Sequence, residues 1–231
     1  MKFHGLQKMT LLDFPGRVAA TLFTGGCNFR CPFCHNAMLV TDIKAEDAIY
    51  DEKYILDFLG KRKGLLDGIA ITGGEPLIHR DIPEFILKVR EMGFAVKLDT
   101  NGAYPKPLRE ILDKKLVDYV AMDVKNSFEK YSETIGVPGF DTTPIEESMD
   151  MLMEGDVDFE FRTTITKEFH EIEDIEKIAK KIAGDTKYFL QNFVDSGNLI
   201  CAEIHGRDEE TMKKMAEVSR KYAPNTALRG I

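Results

Sequence analysis

The sequence predicts an α/β protein folded as a partial (βα)6 barrel, open on one side. Six short apolar segments recur along the chain, amphipathic helical stretches lie between them, and three of the apolar segments carry a polar row on one face. The strand-like segments are 18–23, 68–71, 95–98, 119–124, 157–165 and 188–193. Helical spacing groups Tyr54, Ile55, Phe58 and Leu59, and then Ile82, Phe85, Ile86, Val89 and Met92, with Asp81 as the expected cap and Gly93 as the stop. Leu108, Ile111, Leu112 and Leu116 follow Pro107. Ile172, Ile175, Ile178, Ala179 and Ile182 end at Gly184, and Asp208 opens a last stripe through Met212, Met215 and Ala216. Crossovers longer than about a dozen residues demand parallel pairing with right-handed connections, leaving an open doubly wound sheet or a barrel. A full eight-fold barrel needs around 250 residues. Six units in 231 residues therefore favour a partial barrel.

The strand faces say where chemistry would sit. Period two places Lys97, Asp99 and Asn101 on one face, and Asp123 with Lys125 opposite Val120, Met122 and Val124. In 157–165, Asp158, Glu160, Arg162 and Thr164 alternate with apolar residues, whereas helix-covered parallel strands are usually apolar on both faces. Polar groups aimed at a common interior are expected, and ligands bind at the carboxyl ends of such strands.

Composition removes several classes of function. The 231 residues carry 31 basic and 39 acidic side chains, a net charge of −8, which opposes binding to a phosphate backbone and argues against a nucleic-acid partner. The longest charge-free run, 18–29, contains two glycines and falls far short of the roughly 20 apolar residues that span a bilayer. No membrane association is expected. Asp13 and Pro15 interrupt residues 1–17 where a signal peptide needs an unbroken apolar stretch, so the expected location is the cytoplasm. Four cysteines are too few for a disulfide scaffold, and Cys27, Cys31 and Cys34 crowd into one loop, which points to metal ligation in a reducing compartment.

That loop reads Gly25-Gly26-Cys27-Asn28-Phe29-Arg30-Cys31-Pro32-Phe33-Cys34-His35-Asn36, with the thiols at C-x3-C-x2-C directly after the first expected strand. Zinc prefers four closed ligands, and ferredoxin-type clusters use four thiolates. A cluster held by three leaves one iron open for chemistry. His35 is poorly placed to join its neighbour Cys34 on one ion, and Cys201 lies in a distant segment. As a small hydrophobe Cys201 needs no function. Thr72-Gly73-Gly74-Glu75-Pro76 follows the second strand; glycines there let the backbone approach a ligand, and Glu75 can accept from an ammonium. His4, His79, His170 and His205 show no metal spacing and read as exposed or structural.

With both motifs in place the sequence resembles the radical S-adenosylmethionine enzymes, and within them the activating enzymes of glycyl radical enzymes, closest to the activators of anaerobic ribonucleoside-triphosphate reductase. The likeness runs through Thr10-Leu11-Leu12-Asp13-Phe14-Pro15-Gly16-Arg17, Cys34-His35-Asn36, Asp99-Thr100-Asn101-Gly102, Met122-Asp123-Val124-Lys125, Phe161-Arg162-Thr163-Thr164 and Leu190-Gln191-Asn192-Phe193. The resemblance implies one radical SAM domain over 1–231, with an approach segment at 1–17, a cluster loop at 24–36 and a C-terminal helix and tail at 205–231. It implies one [4Fe-4S] cluster on Cys27, Cys31 and Cys34. It also implies S-adenosylmethionine held by Gly73, Gly74, Glu75, Asp99, Asn101, Asp123, Lys125, Arg162 and Gln191, with Phe33 placed either against adenine or simply to pack the loop. Lys125 would take the cofactor's carboxylate; Arg162 would take the same carboxylate or Glu160; a monovalent cation would sit near Asp99 and Asp123. Gln191 and Phe193 share a face suited to ribose, to a partner or to plain packing.

The implied reaction is reductive cleavage of S-adenosylmethionine to a 5′-deoxyadenosyl radical that takes hydrogen from a glycine of a partner, with a low-potential donor such as flavodoxin or ferredoxin. No side chain need act as acid or base. The alternatives are a radical SAM enzyme acting on a small molecule, as in deazaguanine synthesis, and a non-enzymatic iron–sulfur or zinc module. The cysteine assignment has a direct test: Cys201→Ala should leave reconstituted iron and its charge-transfer absorption unchanged, whereas Cys27→Ala should lose both.

Overall fold

The computed structural model describes all residues except Asp42, Lys44, Ala45, Glu46, Ser196, Asn198 and Ile231, the last being the end of the expected C-terminal tail. The chain forms two compact units, one of Met1–Asn28, Met38–Thr100 and Tyr104–Val120, the other of Phe29–Ala37, Asn101–Ala103 and Ala121–Ile231.

The first unit contains β1 (Lys2–Phe3), β2 (Gly5–Thr10), β3 (Ala19–Thr24), β4 (Tyr50–Asp51), α1 (Glu52–Gly60), β5 (Gly68–Gly73), α2 (Ile82–Glu91), β6 (Ala95–Thr100), α3 (Pro105–Asp113) and the start of β7 (Tyr119–Asp123). β3, β5 and β6 run parallel in that order, each crossover carrying the helix that its apolar stripe predicts. Ala19, Ala20, Leu22, Ile69, Ile71, Val96 and Leu98 are fully buried and form the core beneath them. Strands β1 and β2 lie inside the expected approach segment and escape sequence reading. β2 is an antiparallel edge to β3, and with Gln7, Lys8 and Met9 exposed it lacks a clean apolar alternation. Asp51 caps α1 through the Tyr54 amide at 2.7 Å. Asp81 precedes α2 as expected but makes no side-chain cap; its carboxylate instead pairs with the Met1 ammonium at 2.9 Å.

The second unit continues from β7 with α4 (Tyr131–Thr134), α5 (Thr143–Glu154), β8 (Asp158–Ile165), α6 (Ile172–Lys181), β9 (Tyr188–Asn192), α7 (Glu209–Arg220) and β10 (Thr226–Arg229). β8, β9 and β10 pair in parallel, and Asp208 caps α7 by accepting from the Thr211 amide at 2.9 Å. Helix α5 supplies the crossover missing from the sequence reading. It buries Ile145, Met149 and Leu152, and its stripe is broken in sequence by Ser148, which turns inward to donate to the Gly102 carbonyl at 2.7 Å. Glu160 is buried and takes Arg229 through both carboxylate oxygens at 3.0 and 3.1 Å, a bidentate pair that ties β10 to β8.

Strand order runs from β2 at one edge to β10 at the other, so the barrel is not closed and its strands are mostly parallel. Among the described residues no helix is long and apolar enough to cross a membrane.

Candidate active site

In the first unit, the segment that leads into the cysteine loop is fixed by the motif after β5. Three consecutive carbonyls accept from it: Thr24 from the Gly74 amide at 2.9 Å, Gly25 from His79 Nε2 at 2.9 Å, and Gly26 from the Glu75 amide at 2.8 Å. This explains the glycine pair. Gly73 holds a φ of +124°, and a Cβ on Gly74 would lie 1.9 Å from the Gly26 oxygen, so only glycine lets the two backbones meet. Glu75 is wholly buried, and its Oε1 accepts from the Leu77 amide at 3.0 Å and from the Thr100 hydroxyl at 2.8 Å. It thus caps the turn at Pro76–Ile78 and anchors it to the end of β6. Tyr104 shares these surroundings: burial raises its pKa, and the nearby charges of Glu75 and Cys27 add to the effect.

The second unit gathers the other thiols with a charged group. The Cys34 amide donates to the Cys31 carbonyl at 3.0 Å, forming a tight turn in which Cys31 is buried. Asp123, at the end of β7, accepts from Arg162 Nε at 2.9 Å and from Lys125 Nζ at 3.0 Å. Burial works against the charge of Asp123, but Arg162 and Lys125 outweigh it and hold the carboxyl well below the usual carboxylate range. Lys125 is likewise opposed by burial, yet the charges of Asp123 and of a Cys31 thiolate keep its ammonium firmly protonated. Its backbone is pinned on both sides: the amide donates to Tyr131 Oη at 3.3 Å, and the carbonyl accepts from His170 Nε2 at 2.8 Å. The Thr166 amide donates to His170 Nδ1 at 3.2 Å, which assigns the hydrogen of this neutral imidazole to Nε2.

The other expected residues have these surroundings. Phe33 is buried against the rings of Phe169 and His170, at 5.9 and 6.1 Å between centroids, and so packs the loop. Asn101 Oδ1 accepts from the Ala103 amide at 2.9 Å. Gln191, half-buried on β9, lies in register between Thr164 and Arg229. Phe193 stacks on His35 at 5.1 Å, and burial followed by the Lys125 charge lowers the His35 pKa. Asp99 pairs with the buried Lys97, and Asp123 holds two cations of its own. Cys201 has an exposed side chain, and its amide donates to the carbonyl of Pro32 in the cysteine loop at 3.0 Å. Tyr104, Tyr131, His79 and His170 are the participants that sequence reading missed. His79 and His170 act across 54 and 45 positions and Tyr131 across only six, and the burial of an otherwise unplaced aromatic or histidine is the one hint the sequence holds.

The sequence profile of the Radical SAM superfamily matches residues 21–182. The chain belongs to this superfamily. A protein of Methanocaldococcus jannaschii named "Putative glycyl-radical enzyme activating enzyme" is 32% identical to it, covering 98% of this chain and 95% of its own. A second protein of that name and organism is 30% identical, with 90% and 79% covered. Among solved structures, Streptococcus suis SuiB bound to precursor peptide SuiA superposes with a TM-score of 0.71 at 19% identity. This chain covers about half of SuiB, 48%, while 91% of it is matched, a likeness of fold.

The chain is thus a radical SAM enzyme, and the superfamily implies a [4Fe-4S] cluster and S-adenosylmethionine. The donor set fits such a cluster in kind: three soft thiols within eight residues, one of them facing a fixed ammonium that favours thiolate. Among the described residues no three His, Cys, Asp or Glu side chains converge on one metal ion. The assignment of Cys27, Cys31 and Cys34 rests on their spacing and on the family, and a cluster of several irons spreads its ligands wider than a single ion does.

The buried imidazole sets a pH dependence. Burial holds His170 at about 4 in the folded protein, against 6.5 for a free histidine. Its contribution to stability is complete above 6.5 and is lost as the pH falls toward 4, by at most roughly 1.4 kcal/mol per pH unit. His170→Asn should therefore lose less stability than the wild type between pH 7 and pH 5, read from urea midpoints. Equal losses in both proteins would contradict the assignment.

Proposed function

We propose that this chain is an activating enzyme that generates a glycyl radical on a partner enzyme, with anaerobic ribonucleoside-triphosphate reductase as that partner. The observation that carries the reading is its 32% identity, over nearly the full length of both chains, to a protein named for glycyl-radical activation. When bound, the reduced cluster and S-adenosylmethionine supply the 5′-deoxyadenosyl radical that removes hydrogen from the partner's glycine. Cys27, Cys31 and Cys34 hold the cluster. Lys125 and Arg162, fixed by Asp123, offer two cations to the carboxylate of S-adenosylmethionine. Gly73, Gly74 and Glu75 shape the loop from beneath, and Glu75 contributes a carboxylate for the cofactor's ammonium. Asn101 and Gln191 line the ends of their strands. Exposed Leu11 and Leu12 precede Asp13, which the Thr21 hydroxyl holds in place, giving the β2–β3 connection an apolar tip for a protein partner. A low-potential flavodoxin or ferredoxin would supply the electron, in the cytoplasm.

The test is anaerobic incubation of the reduced protein with S-adenosylmethionine and purified reductase. Electron paramagnetic resonance should show a glycyl radical doublet that vanishes when the reductase's radical glycine is replaced by alanine. If no doublet forms and a small deazaguanine precursor instead stimulates 5′-deoxyadenosine release, the small-molecule reading replaces this one.

A further inference from the structure

Lys97 lies in the middle of β6, and only 2% of it is exposed. A lysine so placed persists only when its charge is met. The partner is Asp99, two residues on and on the same face, with which its ammonium forms a direct ion pair. The strand pairing explains how the long side chain fits. Lys97 is in register with Ala70 of β5, and Ala70 with Thr21 of β3, so the neighbouring position on that row is a methyl group. The next polar side chain, Thr21, turns its hydroxyl to Asp13.

A lysine ammonium is a compact point charge that seeks carboxylate oxygens, the same demand that a free monovalent cation makes. We propose that Lys97 is a tethered cation filling, beside Asp99, the place where a free monovalent cation would otherwise bind, so that this protein takes up none there. Asp123, the other carboxylate at which such an ion was expected, is separately neutralised by Lys125 and Arg162. A free ion approaching either carboxylate meets a fixed positive charge already in contact with it. A tethered cation also differs from a dissolved one in mass action: its occupancy does not depend on salt composition.

The test uses the full-length, cluster-loaded protein without S-adenosylmethionine, so its outcome does not hang on the proposed reaction. Thermal midpoints are compared in potassium, sodium, ammonium and choline chlorides at equal ionic strength. The wild type should melt at the same temperature in all four. Lys97→Met, which keeps the stem and removes the charge, should melt lower in choline and recover in a saturable way with potassium or ammonium. A saturable rise in the wild-type midpoint with potassium or sodium over choline would overturn the proposal, as would a folded Lys97→Met indifferent to the cation. Should Lys97→Met fail to fold, Lys97→Gln provides the same comparison, and the wild-type series decides by itself.

Discussion

Thr24, Gly25 and Gly26 give up three successive carbonyls to hydrogen bonds from the turn at 74–79, and the first thiol follows at once. A loop rich in glycine would otherwise sample many conformations, at a backbone entropy of roughly 1 to 2 kcal/mol per residue. Here the second sequence motif fixes the first. The motif is itself fixed, because the Glu75 carboxylate caps its turn and accepts from Thr100 at the end of the next strand. Residues that read in sequence as ligand-binding thus also make the internal scaffold of the loop, through the amides of Gly74 and Glu75 and the carboxylate of Glu75.

The second unit reaches the same end by charge. Asp123 gathers Lys125 and Arg162, and Lys125 is held by Tyr131 at its amide and by neutral His170 at its carbonyl. His170 also packs edge-on against Phe33 of the cysteine loop. One imidazole therefore links the loop to the strand that bears the ammonium. Buried ionic groups cost desolvation whether or not they are paired. They are concentrated at strand ends, where ligands bind in this class of fold.

Much of this was legible because it is local. Strands β3 and β5 through β9 fall where short apolar runs place them, and period two groups Lys97 with Asp99 and Asp123 with Lys125. What escaped depends on partners far along the chain. β2 and β10 are edges with one partner each and weak apolar alternation, and α5 hides its stripe behind an inward serine. Arg162, expected at a cofactor carboxylate or at Glu160, pairs with Asp123, and Glu160 takes Arg229, 69 positions away. Asp81 lost its capping role to an ammonium, a stronger competitor than a backbone amide.

The clamp between the two motifs is most directly tested by Gly74→Ala, with Gly64→Ala as the control. Both change a glycine, but a Cβ on Gly64, whose φ is +78°, meets nothing within 4 Å, whereas one on Gly74 collides with the Gly26 carbonyl. After anaerobic reconstitution, Gly74→Ala should keep the far-ultraviolet circular dichroism of the wild type and lose most of its bound iron, while Gly64→Ala retains it. Wild-type iron content in Gly74→Ala would contradict the claim that these two backbones must touch for the cysteine loop to form.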